Sequence, residues 1–301
     1  MIRFVDMRQL TVDADQAPER YEWAFVGAAI DERGRRSLAL VRNSAAHTAE
    51  VEYDPDSFML RVGEQHFRVS DLEGISQAFP GNPVLDATSL DPVEILILTA
   101  AFMRDLAGRR LGFVYTEPAR YRPSGNAAGM DIAFNFALRF RGMKSVPGFA
   151  GELREDENGR LVACLGFEPE RLDRILQDDE GTFIKHITLV FGVPPYRTSW
   201  EMHALLPHER IIRQNHTCEL SFAGANNPKA TYECLRTVLQ ATGDDERLIV
   251  APLGSKPSAI GMALFSCCRE NVRLKYDFPI RREGGTEGVG SIHRYLVERG
   301  A

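Results

Sequence analysis

The sequence predicts an α/β protein made of two Rossmann-like, mainly parallel-sheet halves related by an internal duplication. Three observations predict it. Short apolar runs of strand length alternate with stretches of helical length. The runs are joined by turns rich in Gly, Pro, Ser and Asp, residues that set backbone geometry or cap helices. Two distant stretches also share one grammar: strand, Ser-containing turn, Pro, apolar helix, strand, Tyr, acid, Pro. The first is Val84-Leu-Asp-Ala-Thr-Ser-Leu-Asp-Pro92, a helix, then Leu111-Gly-Phe-Val-Tyr-Thr-Glu-Pro118. The second is Val250-Ala-Pro-Leu-Gly-Ser-Lys-Pro257, a helix, then Arg273-Leu-Lys-Tyr-Asp-Phe-Pro279, so that Ser89 matches Ser255 and Tyr115 matches Tyr276. The alternative is that any two units of a buried parallel sheet look alike.

In the first half, residues 1–122, Trp23 to Ala29 reads as a strand and Ser37 to Ser44 as a helix capped by Ser37 or Asp31. Glu50 to Val62 reads as two strands broken at Asp54-Pro55, and Val69 to Phe79 as a helix that Pro80-Gly81 ends. A strand over Asn82 to Asp86, a helix over Val93 to Leu106 with Pro92 in its first turn, and a strand over Leu111 to Tyr115 follow. Residues 123–159, with Pro123-Ser-Gly-Asn126 and Glu155-Asp-Glu-Asn-Gly159, read as a connection or lid.

The second half, residues 160–283, starts the order again. Its strands are Leu161 to Gly166, Ile187 to Gly192, Leu248 to Ala251 and Val272 to Tyr276. Its helices are Glu168 to Leu176, a stretch near Trp200 to Leu206, Pro228 to Thr242 started by Asn226 or Asn227, and Ser258 to Cys268. Residues 284–301 read as a Gly-rich loop, Gly284 to Gly290, and a C-terminal helix, Ser291 to Arg299.

Length and composition bound the function. The 301 residues, 44% hydrophobic and 26% charged, are enough for an ordinary core and exclude a largely disordered chain. Thirty-six Lys and Arg against 42 Asp and Glu give a net charge of −6, which argues against general DNA binding and leaves room for a local basic pocket. The longest apolar candidate, Val93 to Met103, carries Glu94 and falls well short of the ~20 residues that span a bilayer, so no membrane partner is expected. A start without the order of a secretory signal and an odd count of five Cys point to a reduced, cytoplasmic protein.

Open parallel sheets hold ligands beyond the carboxyl ends of their strands, so the loops there are the candidates. In Pro252-Leu-Gly-Ser-Lys-Pro257, Gly254 permits close backbone approach, Ser255 offers a hydroxyl, Lys256 a charge, and the helix opened by Pro257 its positive end. Those parts suit a phosphate. The plainer reading is a tight turn with Lys256 solvated.

This run resembles the Gly-Thr-Lys-Pro turn of the CRISPR-associated Rossmann-fold sensors, the CARF domains. Gly254, Ser255, Lys256 and Pro257 match it position by position, with Ser255 in place of Thr. In that family the turn contacts a cyclic oligoadenylate, usually across a homodimer. A second family contact, the loop after the first strand, corresponds to Gly166-Phe-Glu-Pro169 or Gly27-Ala-Ala-Ile30. The resemblance implies a sensor or regulatory subunit in antiviral defence that takes a nucleotide or oligonucleotide and passes its output to a protein partner. The duplication would make it a monomeric pseudodimer, with a homodimer like that of the family as the alternative.

Other loops carry further candidates. Asp86, Thr88 and Ser89 occupy the equivalent turn of the first half, where Asp86 could orient a ribose hydroxyl or a metal-bound water, or simply cap a turn. Arg197 and Arg171 could grip phosphate or be solvated. Tyr115 and Tyr276 could bracket a base or be half-buried core. If the protein is instead an enzyme that hydrolyses or transfers a phosphorylated substrate, Asp86, Glu117 and Asp277 are the candidate acids and bases, with Lys256 as electrostatic stabiliser. A structural subunit with no ligand is the third reading. No dinucleotide fingerprint, P-loop or nucleophile elbow occurs. The seven His lack metal spacing, His203 and His208 being five apart and His216-Thr-Cys218 an isolated pair, and Cys267-Cys268 reads as packing, so neither metal nor cofactor is expected.

Overall fold

The computed structural model describes residues 2–14, 19–104, 109–124, 134–150, 157–214, 217–243, 245–267, 269 and 271–300. The protein is a mixed α/β chain that divides into two compact units, Met1–Tyr121 with Thr286–Ala301, and Arg122–Gly285.

The first unit opens with β1 (Ile2–Leu10), β2 (Tyr21–Val26), α1 (Glu32–Ser44), β3 (Ala45–Asp54), β4 (Met59–Val62) and β5 (Gln65–Arg68). It continues through α2 (Leu72–Ala78), β6 (Pro83–Asp86), α3 (Pro92–Arg104) and β7 (Arg110–Tyr121). The second unit holds β8 (Ala137–Phe140), β9 (Asn158–Cys164), α4 (Pro169–Asp179), β10 (Ile184–Gly192), α5 (Trp200–Leu205) and α6 (Glu209–Gln214). Then come β11 (Cys218–Ala223), α7 (Pro228–Ala241), β12 (Glu246–Pro252), α8 (Lys256–Ser266), β13 (Val272–Leu274) and β14 (Pro279–Arg281), before β15 (Thr286–Arg299) rejoins the first unit.

In the first unit eight strands run in the order β1-β15-β7-β6-β2-β3-β4-β5. The central four, β7-β6-β2-β3, are parallel, and antiparallel pairs flank them on both sides. Every residue of β6 is buried, which is why it reads as a continuous apolar run without alternation. Helix α1 covers one side, Leu40 and Val41 packing with Ala24, Val26, Val114, Ile292 and Leu296. Its cap is Asp31, whose Oδ1 accepts from Gly34 N at 2.7 Å. Helix α3 is apolar nearly all round because it is buried nearly all round.

In the second unit five parallel strands run β11-β10-β9-β12-β13. The chain steps outward from β9 through β10 to β11, then returns to β12 on the other side of β9, so its direction of winding reverses between β9 and β12. An open crevice forms at such a reversal in doubly wound sheets. One core cluster brings Leu161, Ala163, Ile249 and Ala251 of β9 and β12 against Leu172 and Ile175 of α4. Strands β8 and β14 form a separate two-stranded antiparallel ribbon.

The structure corrects several elements. The helix expected over residues 291–299 is part of the 14-residue strand β15, paired with both β1 and β7. Ile292 to Val297 is buried on both faces, and that erases the alternation by which a strand is recognised. Two edge strands, β1 and β11, were not anticipated. Helix α1 begins at Glu32, so Ser37 lies inside it, and α8 begins at Lys256 with Ser255 as its cap. The 123–159 connection contains β8 and the start of β9, while its residues 125–133 and 151–156 lie outside the described residues, as do Leu106, His216 and Cys268. No helix among the described residues is long and apolar enough to cross a membrane.

Helices α7 and α8 meet at a glycine. A Cβ on Gly261 would stand 2.4 Å from the Pro228 carbonyl oxygen. Gly261→Ala is therefore expected to cost about 1–3 kcal/mol by forcing the two helices apart. Urea denaturation checks this, and an unchanged midpoint would show that the contact yields freely.

Candidate functional site

The crevice of the second unit is built first from backbone. A Cβ on Gly166, just past β9, would lie 2.9 Å from the Leu253 carbonyl oxygen, and one on Gly254, just past β12, 2.8 Å from that of Leu165. The two turns press on each other where no side chain fits, which ties both glycines to this packing. From Gly254 the chain enters α8. Ser255 caps the helix: its Oγ accepts from Ser258 N at 3.3 Å and donates to the Ala225 carbonyl at 2.6 Å. The hydroxyl expected to meet a ligand is thus committed to the fold. Lys256 is the first helical residue and half-buried, and Pro257 behind it is buried.

Aromatic rings stand beside this turn. Tyr196 donates its hydroxyl at 2.9 Å to the same Ala225 carbonyl that Ser255 uses, which fixes the ring next to the cap. Trp200 meets Tyr196 edge-on, centroids 6.4 Å apart, and meets Phe167 edge-on at the same distance. Arg197 is exposed, with its guanidinium 5.8 Å from the Trp200 ring centroid. All these residues follow the carboxyl ends of β9 and β10. Sequence reasoning singled out the loop that holds Phe167 but not its ring, and missed Tyr196 and Trp200, although each lies within eight residues of a strand end, the signal that could have found them.

Two other candidates are spent on structure. Asp277 is 1% exposed and takes a forked ion pair from Arg171, with Nη2 at 2.6 Å and Nε at 3.0 Å. Tyr276 is 3% exposed, packs edge-on against Phe278 and lies under the Arg171 guanidinium, 5.2 Å from its centroid. Burial works against the charge of Arg171, but Tyr276 and Asp277 outweigh it and hold its pKa above the ordinary value. Arg171 and Asp277 are therefore partners of each other, and Tyr276 is core with no face to offer a base. Beside them, burial pushes the Glu168 carboxyl up, while its Oε1 accepts from the amides of Phe136 at 2.8 Å and Ala137 at 3.2 Å. That contact ties β8 to the turn after β9.

The first unit reverses its winding between β2 and β6, and there the polar groups close on themselves. Asp86 is 0% exposed; its Oδ1 accepts from Ser37 Oγ at 2.6 Å and Thr88 N at 3.1 Å, its Oδ2 from Ser89 Oγ at 2.7 Å. Thr88 in turn accepts from Thr116 N at 2.9 Å and Ser89 from Gly27 N at 2.9 Å. Burial raises the Asp86 pKa, the opposing hydrogen bonds notwithstanding. Asp86, Thr88 and Ser89 are a buried turn network, the plainer of the two readings. Tyr115 is also buried and accepts from Arg33 Nη1 at 3.3 Å, while Arg33 pairs with Asp31 at 2.8 Å. Glu117 is paired with His293 at 2.6 Å, both buried. Of the three candidate acids, Asp86, Glu117 and Asp277, each is held inside its unit by a partner of the fold.

Among the remaining histidines, His208 is buried with Nδ1 2.6 Å from the Ala204 carbonyl, and His203 stands edge-on to Phe134. Cys267 Sγ donates to the Leu264 carbonyl at 3.3 Å. No protein-family model matches this chain, and no curated protein matches it in sequence.

The Arg171–Asp277 pair separates a structural carboxylate from a catalytic one. Asp277→Ala strands a buried guanidinium and is expected to cost about 3–5 kcal/mol. Thermal and urea unfolding check this; unaltered stability would return Asp277 to the list of reactive groups.

Proposed function

We propose that the protein is a sensor or regulatory subunit that binds a nucleotide or another phosphorylated ligand at the carboxyl ends of β9 and β12. The observation that carries this reading is the Ala225 carbonyl, which accepts from Ser255, the residue before Lys256, and from Tyr196, whose ring meets Trp200 edge-on as Trp200 meets Phe167. The cation and helix end suit phosphate, and the rings suit a base. The backbone contact between the Gly166 and Gly254 turns supports this reading, since Gly254 is the glycine of the turn that resembles the CARF motif. Antiviral defence and a protein partner for the output belong to this proposal through that likeness.

The duplication belongs to it too. In both units a glycine after one strand presses on a carbonyl of the turn after its neighbour: Gly27 on Ser89, a Cβ there standing 2.6 Å from its oxygen, and Gly166 on Leu253. In both, that second turn leads into a buried apolar helix and a parallel strand, β6-α3-β7 and β12-α8-β13. The first unit then differs in function, since its turn is closed by the Asp86 network. The internal pairing of Asp86, Glu117 and Asp277 favours binding over hydrolysis or transfer.

Native mass spectrometry of gently purified protein, followed by analysis of what denaturation releases, tests the class of ligand. A co-purifying nucleotide supports the proposal, and a bare chain bound tightly to another protein favours the structural subunit. Lys256→Ala is expected to weaken binding of the released ligand by about 1–3 kcal/mol without unfolding the protein. Unchanged affinity in the folded variant would remove the turn from the site.

A further inference from the structure

We propose that the β8–β14 ribbon is a docking surface for a nucleic-acid strand, gripped through its phosphodiester backbone. The proposal is separate from the small-ligand reading and rests on the distribution of charge. The segment 134–150 contains Arg139, Arg141 and Lys144 and no carboxylate; the segment 278–282 adds Arg281 and Arg282, again with none. Register places these segments side by side, Arg139 opposite Ile280 and Ala137 opposite Arg281, and the ladder extends through the Arg141 N–H to the Phe278 carbonyl and the Arg282 N–H to the Phe136 carbonyl. Arg139 and Arg281 thus lie in one short ribbon that Arg141 and Arg282 extend, four cations in a protein whose net charge is −6. A fifth joins from α4: Arg174 lies flat over the Phe140 ring, 4.2 Å from its centroid.

The contrast with other arginines sharpens the point. Two other exposed guanidinium groups of this unit meet carboxylates, Arg210 with Asp173 and Arg213 with Glu209, while Arg197 stands over the Trp200 ring. Arg139, Arg141 and Arg282 are exposed and pair with no carboxylate among the described residues. Clustered cations repel one another, and a polyanion relieves that repulsion while releasing its counterions. Arg139 and Arg141 are two extended residues, ~7 Å, apart. That spacing matches successive phosphates along an extended strand.

Arginine outnumbers lysine here, and the planar guanidinium fork bonds two phosphate oxygens at once. A bilayer surface would call for a broad apolar face; among the described residues of β8 and β14 only Leu138, 67% exposed, is a large apolar side chain turned to solvent. The acidic remainder of the protein keeps binding local, so the net charge that argues against general nucleic-acid coating does not oppose one ribbon.

The test is fluorescence anisotropy of a fluorescein-labelled, mixed-sequence single-stranded oligonucleotide, DNA and RNA in turn, titrated with the full-length protein across a salt series. Binding that weakens with salt is expected. The double variant Arg139→Glu/Arg282→Glu should lose at least ~10-fold in affinity and lower the salt slope by about two. Arg139→Gln/Arg282→Gln, which carries no new charge, should show a smaller loss of the same kind and guards against misfolding of the reversal. Lys256→Ala should leave oligonucleotide affinity unchanged, which separates failure of this surface from failure of the small-ligand site. No binding at low salt, equal binding by the double variants, or loss of oligonucleotide binding in Lys256→Ala would overturn the proposal. So would capture of phosphatidylserine vesicles by the ribbon without oligonucleotide binding.

Discussion

Where β9 and β12 part, two backbones touch, and the carboxyl edge of the five-stranded sheet is arranged around that contact. Parallel strands surrender every backbone donor and acceptor to their neighbours, so only the ends of the strands remain to meet a ligand. At that edge Gly166 and Gly254 let the two turns close on each other, which sets the direction in which α8 leaves the sheet. The Ala225 carbonyl then gathers the hydroxyls of Ser255 and Tyr196 onto one point, fixing the third turn and the loop after β10 against the first two. A single glycine pair therefore governs where Lys256 and the rings stand.

The polar side chains divide sharply between those that build this frame and those left at its rim. Buried carboxylates are costly unless every lone pair is met, and Asp86, Asp277 and Glu117 are each met by groups of their own unit. The low dielectric around such networks strengthens the hydrogen bonds that hold these groups in place. Arg197 and three arginines at the β8–β14 ribbon, Arg139, Arg141 and Arg282, are exposed.

Local chemistry made much of this legible. Pro92, Asn227 and the Gly254-Ser255 turn announce helix starts through capping and fixed φ, effects confined to a few neighbouring residues, and the structure has helices beginning at or beside each of them. What escaped was decided by distant partners. Nothing near Arg171 in the sequence announces Asp277, 106 residues away, and nothing near Glu117 announces His293. The strand at Ile292 to Val297 was hidden by its burial on both faces, and β11 by its position at an edge, where only half of its residues need be apolar. The rings of Phe167, Tyr196 and Trp200 looked like ordinary loop residues until three turns brought them together.

The way β15 returns to the first unit governs the order in which the protein can form. Strands β7 and β15 are antiparallel neighbours, yet the whole second unit is threaded between them, and β1 finds its ladder only on β15, Ile2 lying opposite Arg299. The second unit is one unbroken segment whose partners lie close in sequence, so it can condense as soon as it leaves the ribosome. The first unit must wait: until the last strand is synthesised, β1 has no neighbour and β7 presents an unpaired edge. Nascent chains thus carry an open sheet through most of their synthesis, and protection of that edge by a chaperone would matter more during translation than at any later time.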